Sequence, residues 1–349
     1  MIARTLPLAA LMALLPVPAR SCTRVVYLGP GGTVVTARSV DWTEDTRTNL
    51  WLLPRGQARD GAAGARSLRW VSRYGSLVAT CFDGCTVDGM NERGLVASML
   101  YLAETEYPRP EPDDPRRPIC ASTWAQYCLD QYASVDEAAA ALDQAPFFPV
   151  SSYAPDGRPL SMHLALSDPS GDSAILEYLG GRLVIHHGHQ FQVLTNSPDY
   201  DRQLALKAYW NQVGGAVMLP GTGRPADRFV RASYYLRTAP SGGGGTQAVA
   251  CAFAVIRNAS VPLGQEPGGP SPTLWRSVAD QKNRRYYFES TFSPSVFWVD
   301  LAELDFRAGA PVRELELGPA PAFAGAAAAR FKPAAPFTFL TVPWCEAKP

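Results

Sequence analysis

The first hundred residues alternate between short runs of β-branched residues and turns. Residues 24–28 and 33–38 are two such runs, and Gly29-Pro30-Gly31-Gly32 lies between them. A glycine-rich turn between two runs of this kind predicts a β-hairpin. Further strand candidates are residues 76–81 and 95–101.

The middle of the chain has helical patterns, and strand patterns return after it. Residues 123–132 are one helix candidate, and the capping box at residues 134–137 predicts the start of a second. Closely spaced runs then predict an antiparallel meander over residues 164–166, 174–178, 183–186 and 192–194. Helices are expected over 201–209 and 226–237, and strands over 286–288 and 296–299. Strand groups that alternate with helix groups, without a linker between halves, predict a single α+β layered domain.

Composition limits the remaining choices. The chain has 46% apolar and 18% charged residues, which excludes a disordered protein. Its 32 basic residues balance 32 acidic residues, so the basic excess typical of nucleic-acid binders is missing and no nucleic-acid partner is expected. Surface loops are predicted for residues 57–65, the glycine-rich 241–245 and the Ala/Pro-rich 318–336.

The first 21 residues have the pattern of a cleaved secretory signal peptide. Arg4 precedes an apolar run over residues 6–17, which is shorter than the roughly 20 residues that span a bilayer. Ala19 and Ser21 are the small residues at positions −3 and −1 of a cut after Ser21. We therefore expect a signal at 1–21 and one domain at 22–349. That domain would be periplasmic or secreted, without stable membrane insertion.

Cleavage after Ser21 makes Cys22 the first residue of the exported chain. Its six other cysteines are Cys81, Cys85, Cys120, Cys128, Cys251 and Cys345. In an oxidising compartment these six could form up to three disulfides, whose connectivity the sequence leaves open.

A cysteine with a free α-amine can use that amine as the general base for its own thiol. The reference pKa of an α-amine is about 7.7–8.0, close to working pH. Such a site also needs a carboxylate for the amine, oxyanion donors and a cation for the thiolate. Arg38 and Asp41 would face opposite ways on a strand, so both reach Cys22 only if the chain bends; a surface ion pair is the alternative. Asn196 at a strand end could donate to an oxyanion or could cap a turn.

A set of motifs in a fixed order resembles the choloylglycine hydrolase family of N-terminal-nucleophile hydrolases, which includes penicillin V acylases and conjugated bile-salt hydrolases. The motifs are Cys22-Thr23, Arg38-x-x-Asp41-Trp42, Asp88-Gly89-Met90-Asn91-Glu92-x-Gly94-Leu95, Leu194-Thr195-Asn196-Ser197-Pro198, Arg228-Phe229, Thr273-Leu274-Trp275 and Asp280-x-x-Asn283-x-x-Tyr286-Tyr287-Phe288. The resemblance spans roughly residues 22 to 305.

The resemblance implies a four-layer αββα sandwich of two antiparallel sheets and a cysteine hydrolase of linear amides. It implies that Cys22 is the nucleophile and that its α-amine is the base. The implied roles of the other site residues are thiolate stabilisation by Arg38, amine binding by Asp41, oxyanion donation by the Asn196 side chain and the Tyr101 backbone N–H, and a second active-site arginine at Arg228. The substrate would be a small amide with an apolar acyl group, and no cofactor or metal would be required.

The resemblance leaves the substrate open. Tyr101 stands where penicillin V acylases have tyrosine and bile-salt hydrolases tend to have asparagine, which favours an acylase. The 31 residues between Asn196 and Arg228 are similar to the shorter, Gram-negative branch, whose members can also cleave acyl-homoserine lactones. The longer segment of Gram-positive members serves tetramer assembly, so a homo-oligomer is possible rather than implied.

Two other interpretations come from different classes. A secreted, disulfide-stapled or lipidated binding protein would use Cys22 structurally or as a lipid anchor. A metal site at His186-His187-x-His189 would have two of its ligands on one strand face, although no nearby cysteine or carboxylate pattern completes it.

Overall fold

The computed structural model describes residues 21–109, 113–155, 157–214, 218–240, 242, 244–264, 269–318 and 320–342. The predicted signal peptide up to residue 20, two positions of the 241–245 loop and Cys345 lie outside these ranges.

The strands are β1 (Ser21–Leu28), β2 (Val34–Asp41), β3 (Leu50–Leu53), β4 (Ala58–Asp60), β5 (Arg69–Val71), β6 (Ser76–Cys81), β7 (Cys85–Asn91), β8 (Val96–Tyr101), β9 (Arg117–Cys120), β10 (Phe147–Val150), β11 (Met162–Ser167), β12 (Ser173–Leu179), β13 (Arg182–His187), β14 (Val193–Leu194), β15 (Thr273–Asp280), β16 (Arg285–Ser290), β17 (Val296–Asp300), β18 (Arg313–Leu315), β19 (Gly325–Ala326) and β20 (Lys332–Pro333). The α-helices are α1 (Ala121–Gln131), α2 (Val135–Asp143), α3 (Tyr200–Val213), α4 (Pro225–Thr238) and α5 (Thr246–Asn258).

Two large sheets pack against each other between layers of helices. Among the described residues, the first sheet has the order β14-β1-β2-β15-β16-β17-β19 and the second β13-β12-β11-β8-β7-β6-β3-β18-β20. Helices α1 and α2 pack on the second sheet, α4 and α5 pack on the first, and α3 packs on α4. Because β1 contacts β8, the sheets face each other. The predicted αββα sandwich is confirmed, with one parallel pair, β17–β19, in the first sheet.

The predicted hairpin is the β1–β2 pair at the centre of the first sheet. Its register runs from Ser21 opposite Asp41 to Leu28 opposite Val34. All eight residues of β2 are buried. Burial on both faces follows from the layers, because one face meets the second sheet and the other meets α5.

The predicted meander is right for three of its four runs. β11, β12 and β13 are consecutive antiparallel neighbours in the second sheet. The fourth run, β14, instead crosses to the first sheet, where Leu194 pairs with Arg24 of β1. Spacing predicted this strand correctly but not its sheet, because sheet membership depends on contacts distant in sequence. The crossing brings Asn196, two residues after β14, to the start of β1.

Two of the predicted surface loops are partly wrong. Residues 57–65 contain β4, which pairs with β5. The Ala/Pro-rich segment contains β19 and β20, which extend the two sheets. Within it, Ala327 and Phe331 are buried in the core. Low complexity did not indicate exposure here, because alanines and the two phenylalanines, Phe323 and Phe331, supply apolar surface that packs.

The disulfides that the sequence allowed are not formed among the cysteines that the structure describes. Cys81, Cys85, Cys128 and Cys251 have free thiols. Burial raises the pKa of Cys81 to about 12, although Arg38 opposes the shift. Across the described ranges, no helix combines the length and apolar character needed to cross a membrane.

Candidate active site

Cys22 lies near the start of β1, between the two sheets. Only 4% of the residue is exposed, and its Sγ is 3.9 Å from Nη2 of Arg38. Its backbone N–H donates to Oδ1 of Asn196 at 2.5 Å. The thiol and the backbone nitrogen therefore contact different groups, Arg38 and Asn196.

The strand register explains how both Arg38 and Asp41 serve Cys22. Cys22 pairs with Val40 and Arg24 pairs with Arg38, so the thiol and Arg38 share the face toward the second sheet. Asp41 pairs with Ser21 and lies on the opposite face, toward α4. The bend that the sequence seemed to require is unnecessary. The side chain of Cys22 contacts Arg38, and its backbone lies next to the position where Ser21 pairs with Asp41.

Arg38 is held by two carbonyls of the second sheet. Its guanidinium donates to the carbonyl oxygens of Val87 and Met99 and lies over the Trp275 ring, 5.7 Å from the ring centre. Burial by itself lowers the pKa of Arg38, but the Cys22 thiol and the Asp88 carboxylate oppose this and raise it above its ordinary value. Arg38 is thus a fixed cation at the thiol, and the surface ion pair is wrong.

Asp88 is a site residue to which sequence reasoning gave no role. Its Oδ1 lies 3.7 Å from Nη1 of Arg38 and accepts a hydrogen bond from Ser98 at 2.6 Å. Its Oδ2 accepts from the hydroxyls of Ser277 and Tyr286, each at 2.6 Å. Three hydroxyl donors hold this carboxylate as the counter-ion of Arg38. Asp88 belongs to a motif of the resemblance, which is the signal that could have found it.

On the opposite face, Arg228 of α4 connects the polar groups around the backbone of Cys22. Its Nη1 donates to the Cys22 carbonyl at 2.7 Å and to Oγ1 of Thr23 at 2.5 Å. Its Nη2 donates to Oδ1 of Asn196 at 2.9 Å, and Nη1 lies 3.6 Å from Oδ2 of Asp41. Burial lowers the pKa of Arg228, and the Asp41 charge opposes that shift.

Asp41 is fully buried, and only one of its two carboxylate oxygens accepts a hydrogen bond from the described residues. Its Oδ1 accepts a hydrogen bond from Oγ1 of Thr273 at 2.6 Å. Its Oδ2 accepts none from the residues that the structure describes. Burial raises the pKa of Asp41, while Arg228 opposes the shift. An additional cationic donor beside Oδ2 would relieve this cost.

Asn196 joins three elements, so it is not a turn cap. Its Oδ1 accepts from β1 and α4, and its Nδ2 donates to the carbonyl oxygen of Tyr101, at the end of β8, at 2.7 Å. Tyr101 and Asn196 are thereby placed side by side next to Cys22. The structure brings together all six predicted site residues, which are Cys22, Arg38, Asp41, Tyr101, Asn196 and Arg228.

An apolar pocket opens from the thiol on the Arg38 side. Cys22, Arg38 and Tyr101 contribute to its wall. The rest of the wall is mainly apolar and includes Val40, Trp42, Phe82, Val87, Leu160 and Met162. Sequence reasoning assigned no role to these residues, which come from distant parts of the chain and share no local pattern.

The histidine triplet is placed away from this pocket. The ring of His186 packs against Phe191 and Tyr200, and Nε2 of His187 is 2.6 Å from Oδ2 of Asp172. In the described ranges, no group of three or more potential metal-ligating side chains is assembled.

A family model described as linear amide C–N hydrolases, choloylglycine hydrolase family, matches residues 22–312. The chain belongs to the choloylglycine hydrolase family. It is therefore a hydrolase of linear amide C–N bonds, and the alternative of a secreted binding protein is set aside. The matched region begins at Cys22, the residue predicted as nucleophile.

Individual relatives agree with this membership. The penicillin V acylase of Pectobacterium atrosepticum is 47% identical over 345 residues, covering 91% of this chain and 92% of that protein. The structure of a penicillin V acylase from Agrobacterium tumefaciens superposes with a TM-score of 0.85 at 47% identity, covering 92% of this chain and 100% of the other.

A more distant structure shares the fold. A mutant form of the conjugated bile acid hydrolase from Clostridium perfringens has a TM-score of 0.73 at 19% identity. It covers 86% of this chain and 98% of the other. This choloylglycine hydrolase has an N-terminal-nucleophile hydrolase fold, as the sequence predicted.

Proposed function

We propose that this choloylglycine hydrolase is a penicillin V acylase-like enzyme that uses Cys22 as its nucleophile. The observation that carries the proposal is the position of the Cys22 thiol. It lies at the wall of an apolar pocket, 3.9 Å from the buried guanidinium of Arg38. A thiolate is the reactive form of cysteine, and an adjacent buried cation favours it.

The general base is the α-amine of Cys22, which exists only after residues 1–21 have been removed. While Ser21 is attached, the nitrogen of Cys22 is an amide and cannot accept a proton. Cleavage would turn it into an amine next to the position where Ser21 pairs with Asp41, whose buried Oδ2 accepts no hydrogen bond from the described residues. Asp41 would then bind the ammonium form, and the electrostatic cost of its burial would fall.

The amine takes the thiol proton as Cys22 attacks the amide carbonyl carbon. The carbonyl oxygen becomes an oxyanion, for which the donors are Nδ2 of Asn196 and the Tyr101 backbone N–H. In this structure Nδ2 donates to the Tyr101 carbonyl oxygen, so it exchanges that hydrogen bond for one to the oxyanion. The ammonium then protonates the leaving amine, and water hydrolyses the thioester, which releases the acid and regenerates the thiol.

The pocket supports a compact, apolar acyl group. Its wall includes aromatic and aliphatic side chains of Trp42, Phe82 and Met162, and the Trp42 and Phe82 rings meet edge to face at 6.3 Å. The two rings in the wall suit the flat aryl ring of an aryloxyacetyl group, as in penicillin V. A long acyl chain of an acyl-homoserine lactone and the steroid of a bile salt are the competing acyl groups.

A hydrolysis panel tests the proposal with the processed enzyme. Its substrates are penicillin V, penicillin G, glycocholate, taurocholate and long-chain acyl-homoserine lactones. We expect the highest kcat/KM on penicillin V; a higher value on a bile salt or a lactone would reassign the substrate. Cys22→Ser should lose most activity and stay folded, whereas Cys251→Ser, on α5 away from the pocket, should keep it. Full activity of Cys22→Ser would refute the nucleophile.

The proposal requires export and processing, so we propose a periplasmic or secreted location. Expression of the full chain with its signal should yield a protein whose N-terminal residue is Cys22 with a free amine, as read by Edman sequencing and intact mass. Hydrolysis by a chain that retains residues 1–21 would exclude the α-amine as base, and a diacylglyceryl mass would show lipidation.

A homo-oligomer stays a prediction, which light scattering of the processed protein tests.

A further inference from the structure

A buried histidine and glutamate form a pair close to Asn196, and the mechanism above uses neither. His163 on β11 and Glu177 on β12 lie opposite each other in adjacent strands, next to the pair Leu164–Leu176. Nδ1 of His163 is 2.8 Å from Oε1 of Glu177, and both side chains are 0% exposed. A polar pair removed from water at this depth needs well-placed hydrogen-bond partners.

The hydrogen bonds around the pair determine where its protons sit. Nε2 of His163 is 2.9 Å from the carbonyl oxygen of Thr195, which can only accept, so Nε2 carries a proton. Oε2 of Glu177 accepts from the backbone N–H of Tyr200 at 3.0 Å, at the first residue of α3. A helix N-terminus suits an acceptor of this kind. Glu177 therefore links the imidazole ring of His163 to the start of α3 through its two oxygens.

The pair acts on the peptide that precedes Asn196. His163 binds the Thr195 carbonyl from the second sheet. From α3, Gln203 binds the same stretch of backbone: its Nε2 donates to the Asn196 carbonyl at 2.6 Å and its Oε1 accepts from the Thr195 N–H at 3.2 Å. Because β14 is a two-residue strand at the edge of its sheet, side chains supply much of what fixes this segment.

We propose that His163 and Glu177 are positioning residues that hold the carboxamide of Asn196 between Cys22 and Tyr101. The imidazole ring of His163 fixes the direction of the Thr195–Asn196 peptide, and Glu177 fixes the ring and the start of α3. The consequence for catalysis rests on the proposed function, because Asn196 is the oxyanion donor there. A buried polar network in which each member is hydrogen-bonded specifies one geometry, which suits a role in positioning.

A double-mutant cycle separates positioning from general support of the fold. His163→Gln should lower kcat roughly 10- to 100-fold, the cost of misplacing a catalytic group by about 1 Å, with little change in KM. In an Asn196→Ala background the same substitution should leave kcat unchanged, because the group it positions is gone. His189→Gln, at an exposed histidine, is the matched control and should match wild type. No loss in His163→Gln, or an equal loss in both backgrounds, would overturn the proposal.

Two measurements test the positioning role of His163 and Glu177 independently of enzyme activity. In protein labelled with ¹⁵N-histidine, the His163 signals, assigned by their loss in His163→Gln, should show a proton on Nε2, the nitrogen that faces the Thr195 carbonyl. A crystal structure of Glu177→Gln should show the Asn196 carboxamide displaced from Tyr101. An Nε2 without a proton, or an unmoved Asn196, contradicts the pair's role. Inactivity of the wild-type enzyme on every substrate of the panel would instead contradict the proposed function.

Discussion

The two faces of the first sheet at Cys22 are built from different groups. The face toward the second sheet has the thiol, an apolar pocket and the Arg38–Asp88 ion pair. The face toward α4 has Asp41 and Arg228 near the backbone of Cys22, and Asn196 links this polar network to Tyr101 at the pocket. Cys22 therefore meets an apolar pocket with its side chain and a polar network with its backbone.

We expect substitutions in the polar network of Asp41, Arg228 and Asn196 to change kcat and substitutions of apolar wall residues of the pocket to change KM. The largest effect is expected for Asn196→Ala, which removes an oxyanion donor. We expect kcat to fall about 10²- to 10³-fold with KM nearly unchanged, since the donor acts mainly on the transition state. Steady-state kinetics on the best substrate of the panel measure this. The control is Asn211→Ala, an exposed asparagine of α3, which should leave both constants unchanged; an unchanged kcat in Asn196→Ala would remove Asn196 from the role.

A smaller effect is expected on the opposite face. Phe82→Ala removes a ring that lines the pocket and packs against Trp42. We expect KM to rise roughly 10-fold, the usual cost of lost apolar contact in a pocket, with kcat within about 2-fold of wild type. Phe292→Ala, at a half-exposed ring outside this pocket, provides the comparison. A Phe82→Ala enzyme that lost kcat instead would break the division between the faces.

The smallest effect concerns stability and the charge of Asp41 in the unprocessed chain. Burial raises its pKa, so the folded state holds the proton more tightly than the unfolded state, whose carboxyl has its ordinary value of about 3.9. Stability should therefore fall as pH rises from that value through the raised one. Asp41→Asn has no such proton to lose. The urea midpoint of the wild type should therefore fall relative to that of Asp41→Asn as the pH rises from 4 to 7.

The exposed Asp143→Asn serves as the control for this trend and should follow the wild type at each pH. In the processed enzyme the ammonium of Cys22 lies beside Asp41 under the proposed mechanism. The fall of the wild-type urea midpoint relative to Asp41→Asn should then be smaller than in the unprocessed chain. A wild-type midpoint that instead rises relative to Asp41→Asn with increasing pH would contradict a raised pKa of Asp41.

Local patterns predicted most strands and helices, and the reasons for the errors are physical. The β1–β2 hairpin and the start of α2 follow from turns and caps that act within a few residues; Ser134 accepts from the Glu137 N–H at 3.2 Å. The assignment of β14 to the meander was wrong because its partner, β1, is about 170 residues away in sequence. The Ala/Pro-rich segment was placed wholly at the surface because composition does not show which alanines meet a neighbour.

The six site residues were found through a resemblance, not through spacing. Arg38 and Asp41, three apart on one strand, were correctly expected to face opposite ways. That spacing could not show that Cys22 contacts one with its thiol and lies near the other through its backbone. Phe82 and Met162 have no motif that marks them, and neither does the His163–Glu177 pair.

The sequence alone determined the alternation of strands and helices, the layered α+β class, the order of the family motifs and a cysteine available to become the first residue. These depend on local backbone preferences or on residue identity. Tertiary packing, in contrast, sets the crossing of β14 to β1, the contact of Asp88 with Arg38, and the separation of the apolar pocket from the polar network of Asp41 and Arg228. Those facts depend on packing two sheets so that residues far apart in the chain come within hydrogen-bonding distance.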